Sequence, residues 1–183
     1  MNLTARKTSL PEVLILEPVI YGDARGCFFE SFNARNFEKA TNVVANFVQD
    51  NHSKSRKGVL RGLHYQVRCP QGKLIRVTQG AVFDVAVDIR RSSVNFGKWF
   101  GVELSADNKR QLWIPPGFAH GFLATTDSAD VLYKTTDYWH PEFERCLSWN
   151  DPAISINWPD VDEISLAAKD LAAPLLANAE IFD

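Results

Sequence analysis

The sequence predicts an all-β sandwich or barrel, and three observations carry that reading. Short apolar runs rich in Val, Ile, Leu and Phe recur along most of the chain, at spacings of roughly eight to twelve residues. Turn-forming Gly, Pro, Asn and Asp fall between them. The run AVFDVAVDIR (81–90) alternates with period two. Ala81, Phe83, Val85, Val87 and Ile89 fall on one face, and Val82, Asp84, Ala86 and Asp88 on the other.

Taken in order, VLILEPVI (13–20) and CFFESFN (27–33) read as strands flanking the turn YGDARG. ARNFEKA (34–40) sets Phe37 among charges and reads as one or two helical turns. VVANFVQDN, VLRGLHYQ, KLIRVTQG and AVFDVAVDIR continue the strands, followed by KWFGVELS, QLWIPPG, AHGFLATT and DVLYKTT. Only the tail, EISLAAKDLAAPLLANAE, has helical composition, and Pro174 interrupts it. With no repeat, linker or low-complexity tract, one domain over 1–183 is expected, with short peripheral helices and a C-terminal helical tail.

Bulk properties narrow the function. At 183 residues the chain can bury a substantial core. The net charge is −2, from 20 Lys and Arg against 22 Asp and Glu, which argues against a nucleic-acid partner. Any anion must then be held by a few placed cations. Cys27, Cys69 and Cys146 share no CxxC spacing, so reduced thiols in the cytoplasm are expected. No export signal is apparent, and no apolar run approaches the ~18 residues of a membrane span, so no membrane partner is expected.

The chemistry centres on GVLRGLHYQVRCPQGKLIRVTQG (58–80). As a strand, VLRGLHYQ places Leu60, Gly62, His64 and Gln66 on one face, and the glycine leaves room for a close approach. A second histidine, His120, closes a P-x-G-x-x-H turn from Pro115 and Gly117. Both histidines can therefore line one barrel interior. A lone strand histidine is more often a hydrogen-bonded core residue. Paired with Lys73 in an enclosed site it suits proton abstraction beside a carbonyl, with the ammonium stabilising the enolate.

The G-x5-H and P-x-G-x-x-H patterns resemble the two motifs of the cupin family. Gln66 and Lys73 stand roughly where metal-binding cupins carry further ligands, and an ammonium has no lone pair to offer a metal. No metal is expected. The larger set RGLHYQ, QGKLIRV, GAVFDVAVDIR, NFGKW, RQLWIPPGFAHGF, YKTTDYW and NDPAISINWP closely resembles the dTDP-4-dehydrorhamnose 3,5-epimerase family, a metal-free cupin branch, from about residue 13 to KDLAAPLL.

The resemblance implies a cupin-type β-barrel or jelly roll that epimerises a dTDP-linked 4-keto-6-deoxy sugar without a cofactor, as a homodimer, in dTDP-rhamnose biosynthesis. It implies His64 as general base, Asp170 as the carboxylate orienting it, Lys73 on the enolate oxygen and Tyr133 as the acid on the opposite face. It assigns Arg25, Glu30, Gln49, Asp50, Asn51, Arg61, Lys73, His120, Glu144 and Lys169 to substrate binding, with Arg25 and Glu30 serving the neighbouring subunit's site. It also assigns Trp139 to substrate binding, where the family often has tyrosine stacked on thymine; tryptophan keeps the flat aromatic surface and lacks the hydroxyl. Competing expectations are a mono-epimerase or ketoisomerase of the same fold, a metal-dependent cupin oxygenase, and a non-catalytic sugar-binding barrel.

Overall fold

The structure is a computed structural model and describes residues 3–183. Thirteen strands are assigned among them. The first seven are β1 (Leu3–Lys7), β2 (Leu14–Pro18), β3 (Tyr21–Asp23), β4 (Gly26–Phe28), β5 (Gln49–Arg56), β6 (Leu60–Gln66) and β7 (Lys73–Gln79). The rest are β8 (Ala81–Asp88), β9 (Trp99–Ser105), β10 (Gln111–Ile114), β11 (Phe118–Ala124), β12 (Ser128–Thr135) and β13 (Glu144–Cys146). A six-stranded sheet, β1-β2-β10-β7-β12-β5, faces a five-stranded sheet, β13-β6-β11-β8-β9, and β3 and β4 form a separate hairpin. The result is a cupin-like jelly roll, as the strand pattern and the resemblance led us to expect.

Three apolar layers hold it. Between the sheets, Ile75, Val77, Leu112 and Val131 meet Val82, Ala86, Leu104 and Phe122. Each aliphatic chain so buried contributes about 1.5–3 kcal/mol. The opposite face of β8 packs Val85, Val87 and Ile89 beneath Leu147, Ile154 and Leu176 of the C-terminal segment. Both faces of β8 are buried, so Asp84 and Asp88 lie inside the protein. The third layer covers the six-stranded sheet, where helix α1 (Ala34–Thr41) presents Phe37 edge-on to Phe47 and Trp113. Asn33 caps the start of α1, and Asn42, at φ 58°, ends it.

Three elements differ from expectation. The strand expected over 43–51 begins only at Gln49 and runs through the polar stretch to Arg56. β5 is a sheet edge, where polar residues are favoured because they discourage further pairing. The tail is not a continuous helix. It holds one turn, α2 (Ala168–Leu171), and a 3-10 turn at Leu176–Asn178, separated by the stretch containing Pro174. Its segments instead dock individually: Ser148 donates its N–H to Pro174 O, and the buried Asp151 accepts from the Leu176 N–H. Finally, Leu3–Lys7 forms an edge strand on β2 that the apolar pattern did not reveal. Among the described residues no helix is long and apolar enough to cross a membrane.

Candidate active site

A cavity of about 530 Å³ opens between the two sheets, walled by β5, β6, β7, β11, β12, β13 and the tail. His64, Lys73, Tyr133 and Asp170 line it, together with Gln49, Asn51, Arg61, His120, Trp139, Glu144 and Lys169. His64 and His120 are direct register partners on β6 and β11. Lys73 and Tyr133 come from the opposing sheet, with Lys73 paired to Thr135 and Tyr133 to Ile75. The histidines and the Lys–Tyr pair thus approach one space from opposite walls.

Strand alternation alone does not explain the wall at β6. Arg61 and His64 are three residues apart, and a regular strand would turn them to opposite faces. The β6–β11 register shifts between His64↔His120 and Arg61↔Phe122, which places one extra residue on β6. Gly62 sits in this bulge at φ +125°, and a Cβ there would approach Gly121 Cα to 2.5 Å. The two strands therefore meet backbone to backbone, and a side chain at Gly62 would separate them. Both Arg61 and His64 reach the cavity as a result. Arg61 donates to Ser55 Oγ at 3.0 Å and to Lys54 O at 3.2 Å, which ties its guanidinium to β5.

The His64 ring is fixed from behind. Its Nε2 lies 2.6 Å from Asp170 Oδ1, and the Gly62 N–H reaches Asp170 Oδ2 at 3.4 Å. A carboxylate only accepts, so Nε2 carries the proton, and Nδ1 is left as the basic nitrogen of the neutral ring. Burial by itself would raise the Asp170 carboxyl, but the hydrogen bonds from His64 and Gly62 outweigh it and hold the group below its ordinary value. Asp170 comes from α2, more than a hundred residues further along the chain.

Lys73 is buried, and its Nζ donates to His64 O at 3.2 Å. Desolvation lowers its pKa to about 8, with Glu144 and Asp84 opposing the shift. It therefore remains largely ammonium at neutral pH. Burial, and then the Glu144 carboxylate, raise the Tyr133 hydroxyl above its ordinary value, so it is held protonated. At the rim, Lys169 Nζ lies 3.0 Å from Glu144 Oε2. The half-exposed Trp139 stands at the mouth, its backbone N–H donating to Gln49 Oε1 at 3.0 Å.

Arg25, Glu30 and Asp50 do not line this cavity. Arg25 sits at the turn of the β3–β4 hairpin, almost fully exposed, in an ion pair with Asp23 at 2.6 Å. Glu30 accepts from Asn33 and Asn36 at the start of α1. Asp50 alternates with Gln49 and Asn51, so its side chain turns to the other face and pairs with Lys134 at 2.9 Å.

With this geometry in view, residues 7–178 match the family model described as dTDP-4-dehydrorhamnose 3,5-epimerase. The chain belongs to the dTDP-4-dehydrorhamnose 3,5-epimerase family. A relative of that name from Pseudomonas aeruginosa is 56% identical over 180 residues, spanning 98% of this chain and 99% of its own. Among solved structures, a dTDP-6-deoxy-D-glucose-3,5-epimerase from Legionella pneumophila Philadelphia 1, in complex with dTDP-4-keto-L-rhamnose, superposes with TM-score 0.95 at 52% identity. That match covers 97% of this chain and 95% of the other. A 3′-monoepimerase from Streptomyces bikiniensis, in complex with dTDP-quinovose, superposes with TM-score 0.89 at 34% identity, covering 94% and 87%. The fold of the 3,5-epimerase family thus also carries a different epimerisation outcome. Topology alone does not choose between them, and the cavity residues must.

The partner of His120 and two polar residues of the cavity wall are not among the site residues expected from the sequence. Asp84, fully buried, accepts from His120 Nε2 at 3.0 Å. The signal was present, because a carboxylate between Val82 and Ala86 on a buried strand face requires a partner. Gln71 and Ser53 line the cavity, whereas Asp84 lies behind His120, and the buried Ser53 hydroxyl has no hydrogen-bond partner among the described residues. A short polar side chain in a polar strand offers no comparable pattern.

Proposed function

We propose that the protein is an isomerase that converts dTDP-4-dehydro-6-deoxy-D-glucose to dTDP-4-dehydro-L-rhamnose by epimerisation at C3 and C5. One arrangement carries the reading: His64 enters the cavity from one sheet, and Tyr133 enters from the other. Inverting a carbon requires that a proton leave one face and another arrive on the opposite face, and two opposed walls meet that demand.

In each half of the reaction, His64 Nδ1 removes the proton from the carbon beside the C4 ketone. The electron pair of that C–H bond becomes the enolate, whose negative charge falls on the C4 oxygen. Lys73 stabilises this charge. The need is large, because carbon acids beside a ketone are weaker than imidazolium by on the order of ten pKa units. Tyr133 then delivers its proton to the carbon from the opposite face. Asp170 holds the His64 tautomer and supports the imidazolium as it forms. Exchange with solvent resets both groups. Arg61 suits the diphosphate, and Trp139 offers a flat surface for the base.

A second reading, epimerisation at one carbon only, is kept in view by Trp139, which stands where the family often has tyrosine. One experiment separates the two. Enzyme and dTDP-4-dehydro-6-deoxy-D-glucose are incubated in D₂O with EDTA, and the product is analysed by proton NMR and mass spectrometry. Deuterium at C3 and C5 with inverted configuration is the expected result. Label at one carbon would establish the mono-epimerase. No exchange until metal is added would overturn the His64 assignment.

We further propose a homodimer in the cytoplasm. The β3–β4 hairpin exposes Tyr21 and Phe28, next to the exposed Ile20, and this apolar patch fits a second copy of the chain. Arg25 on the same hairpin and the nearby Glu30 would then complete the neighbour's cavity. The three free cysteines support a reducing compartment. Arg25→Ala should raise the KM for the dTDP sugar while leaving the dimer intact in light scattering. A monomer in wild-type solutions would remove the proposal.

A further inference from the structure

Gln66 stands two residues beyond His64 on β6, almost fully buried, and does not line the cavity. Its amide is fully engaged elsewhere. Nε2 donates to Cys69 O at 2.8 Å and to Tyr138 O at 3.2 Å, and Oε1 accepts from the His140 N–H at 2.7 Å. Bonding to Tyr138 O and the His140 N–H, the side chain imitates a neighbouring β-strand, although residues 138–140 belong to no strand or helix. Trp139 lies between the two bonded residues, and its own N–H goes to Gln49. Upstream, Gln71 donates to Asp137 O at 2.9 Å. Without these amides the backbone that presents Trp139 would have no ladder to hold it.

We infer that Gln66 is a positioning residue for nucleotide binding: it ties the Trp139 platform to the strand that carries His64, so one strand sets the separation between base recognition and proton transfer. The inference rests on the reading of Trp139 as the surface on which the base stacks. The logic is that of preorganisation. A half-exposed tryptophan on irregular backbone loses stacking free energy if it must be ordered at the moment of binding, and a buried amide with three bonds orders it in advance. Leu at Gln66 removes all three bonds. Glu still accepts from the His140 N–H, but its carboxylate faces the carbonyl oxygens of Cys69 and Tyr138 and repels them.

The test is a double-mutant cycle on the full-length protein, with dTDP as the calorimetric ligand and the 4-keto sugar for kinetics. Stacking on an aromatic side chain is worth roughly 5- to 100-fold in affinity, so Trp139→Ala should weaken dTDP by that order. Gln66→Leu and Gln66→Glu should each weaken dTDP about tenfold and raise KM, with kcat within about threefold of wild type. Added to Trp139→Ala, either change should have almost no further effect on dTDP, because the platform it positions is already gone. A general structural role would instead lower kcat and persist in the Trp139→Ala background, and that additive result overturns the inference. Wild-type affinity in both Gln66 variants overturns it too. Wild-type affinity in Trp139→Ala removes the stacking reading, and this inference falls with it. Thermal melts accompany each variant, and Gln66→Glu, equal in volume, carries the test if Gln66→Leu does not fold.

Discussion

Two histidine–carboxylate pairs stand side by side in this protein, on directly paired residues of β6 and β11, and they are built in opposite ways. The His120–Asp84 pair is made within one sheet from adjacent strands, with side chains 7% and 0% exposed. The His64–Asp170 pair joins a strand to the tail, and its histidine is 25% exposed. The first is part of the wall. The second places a ring at the surface of the cavity and sinks only the carboxylate. A base must touch its substrate, whereas its orienting group must exclude water, so the greater accessibility of His64 supports the proposal that it is the base and that His120 shapes the wall.

The largest effect follows directly from that contrast. His64→Asn should lower kcat by about 10²- to 10⁴-fold and abolish deuterium incorporation from D₂O, because the lost group is the base of the proposed reaction. His120→Asn should act mainly on KM. Equal losses of kcat in the two variants would break the distinction.

Lys73 sharpens it from the opposing sheet. Lys73→Met should reduce kcat by about 10²- to 10³-fold, as expected for loss of a group stabilising a developing oxyanion. Its effect on stability has the other sign. The folded protein holds this lysine at about 8, whereas the unfolded chain keeps it protonated up to the ordinary lysine value of 10.5. Between those values the unfolded state binds more protons, so wild-type stability rises with pH across that window, and below it the full burial penalty is present. The penalty is on the order of 3 kcal/mol. Lys73→Met should therefore melt higher than wild type at pH 7 and lose the rise, as urea denaturation at several pH values will show. Wild-type turnover should fall through about pH 8 as the ammonium is lost. Activity and stability would then move in opposite directions over the same range.

The wall pair yields a smaller effect of a different kind. Asp84→Leu keeps the branched outline of the side chain but leaves His120 Nε2 without its acceptor, at a cost of about 1–3 kcal/mol. For a chain of this length that is roughly 2–12 °C in Tm. Solvent exchange at the substrate should persist. A variant with unchanged Tm and no exchange would mean that Asp84, and not Asp170, serves the reaction.

The same contrast explains what could be read from the sequence. Alternation in AVFDVAVDIR is reliable because β8 is an interior strand with both faces buried, so each side chain is constrained. It failed at Arg61, where a bulge turns two residues of odd spacing to one side, because a register shift is a property of the strand pair and leaves no periodic mark. Gln66 appeared to share the cavity face with His64, yet its amide goes to backbone groups 72 and 74 residues further along. The tail's alanines suggested a helix by composition, but Pro174 and the docking of Asp151 on Leu176 fixed it as separate turns. Asp170 was named only through resemblance, because a contact spanning more than a hundred residues has no local signature.

The smallest effect is expected at Trp139, and it tests how far the open side of the site tolerates change. The residue is half exposed, and its backbone is held by Gln49 and Gln66 rather than by its ring. Tyrosine in its place keeps an aromatic face on the same backbone and adds a hydroxyl. Trp139→Tyr should therefore change dTDP affinity by no more than about threefold, under ~0.7 kcal/mol. The informative quantity is the ratio of deuterium incorporated at C3 and C5. An unchanged ratio would mean that the outcome is set by the opposed walls of His64 and Tyr133. A ratio that moves would give the rim a share in holding the sugar, and the division between a catalytic interior and a binding mouth would have to be redrawn around residue 139.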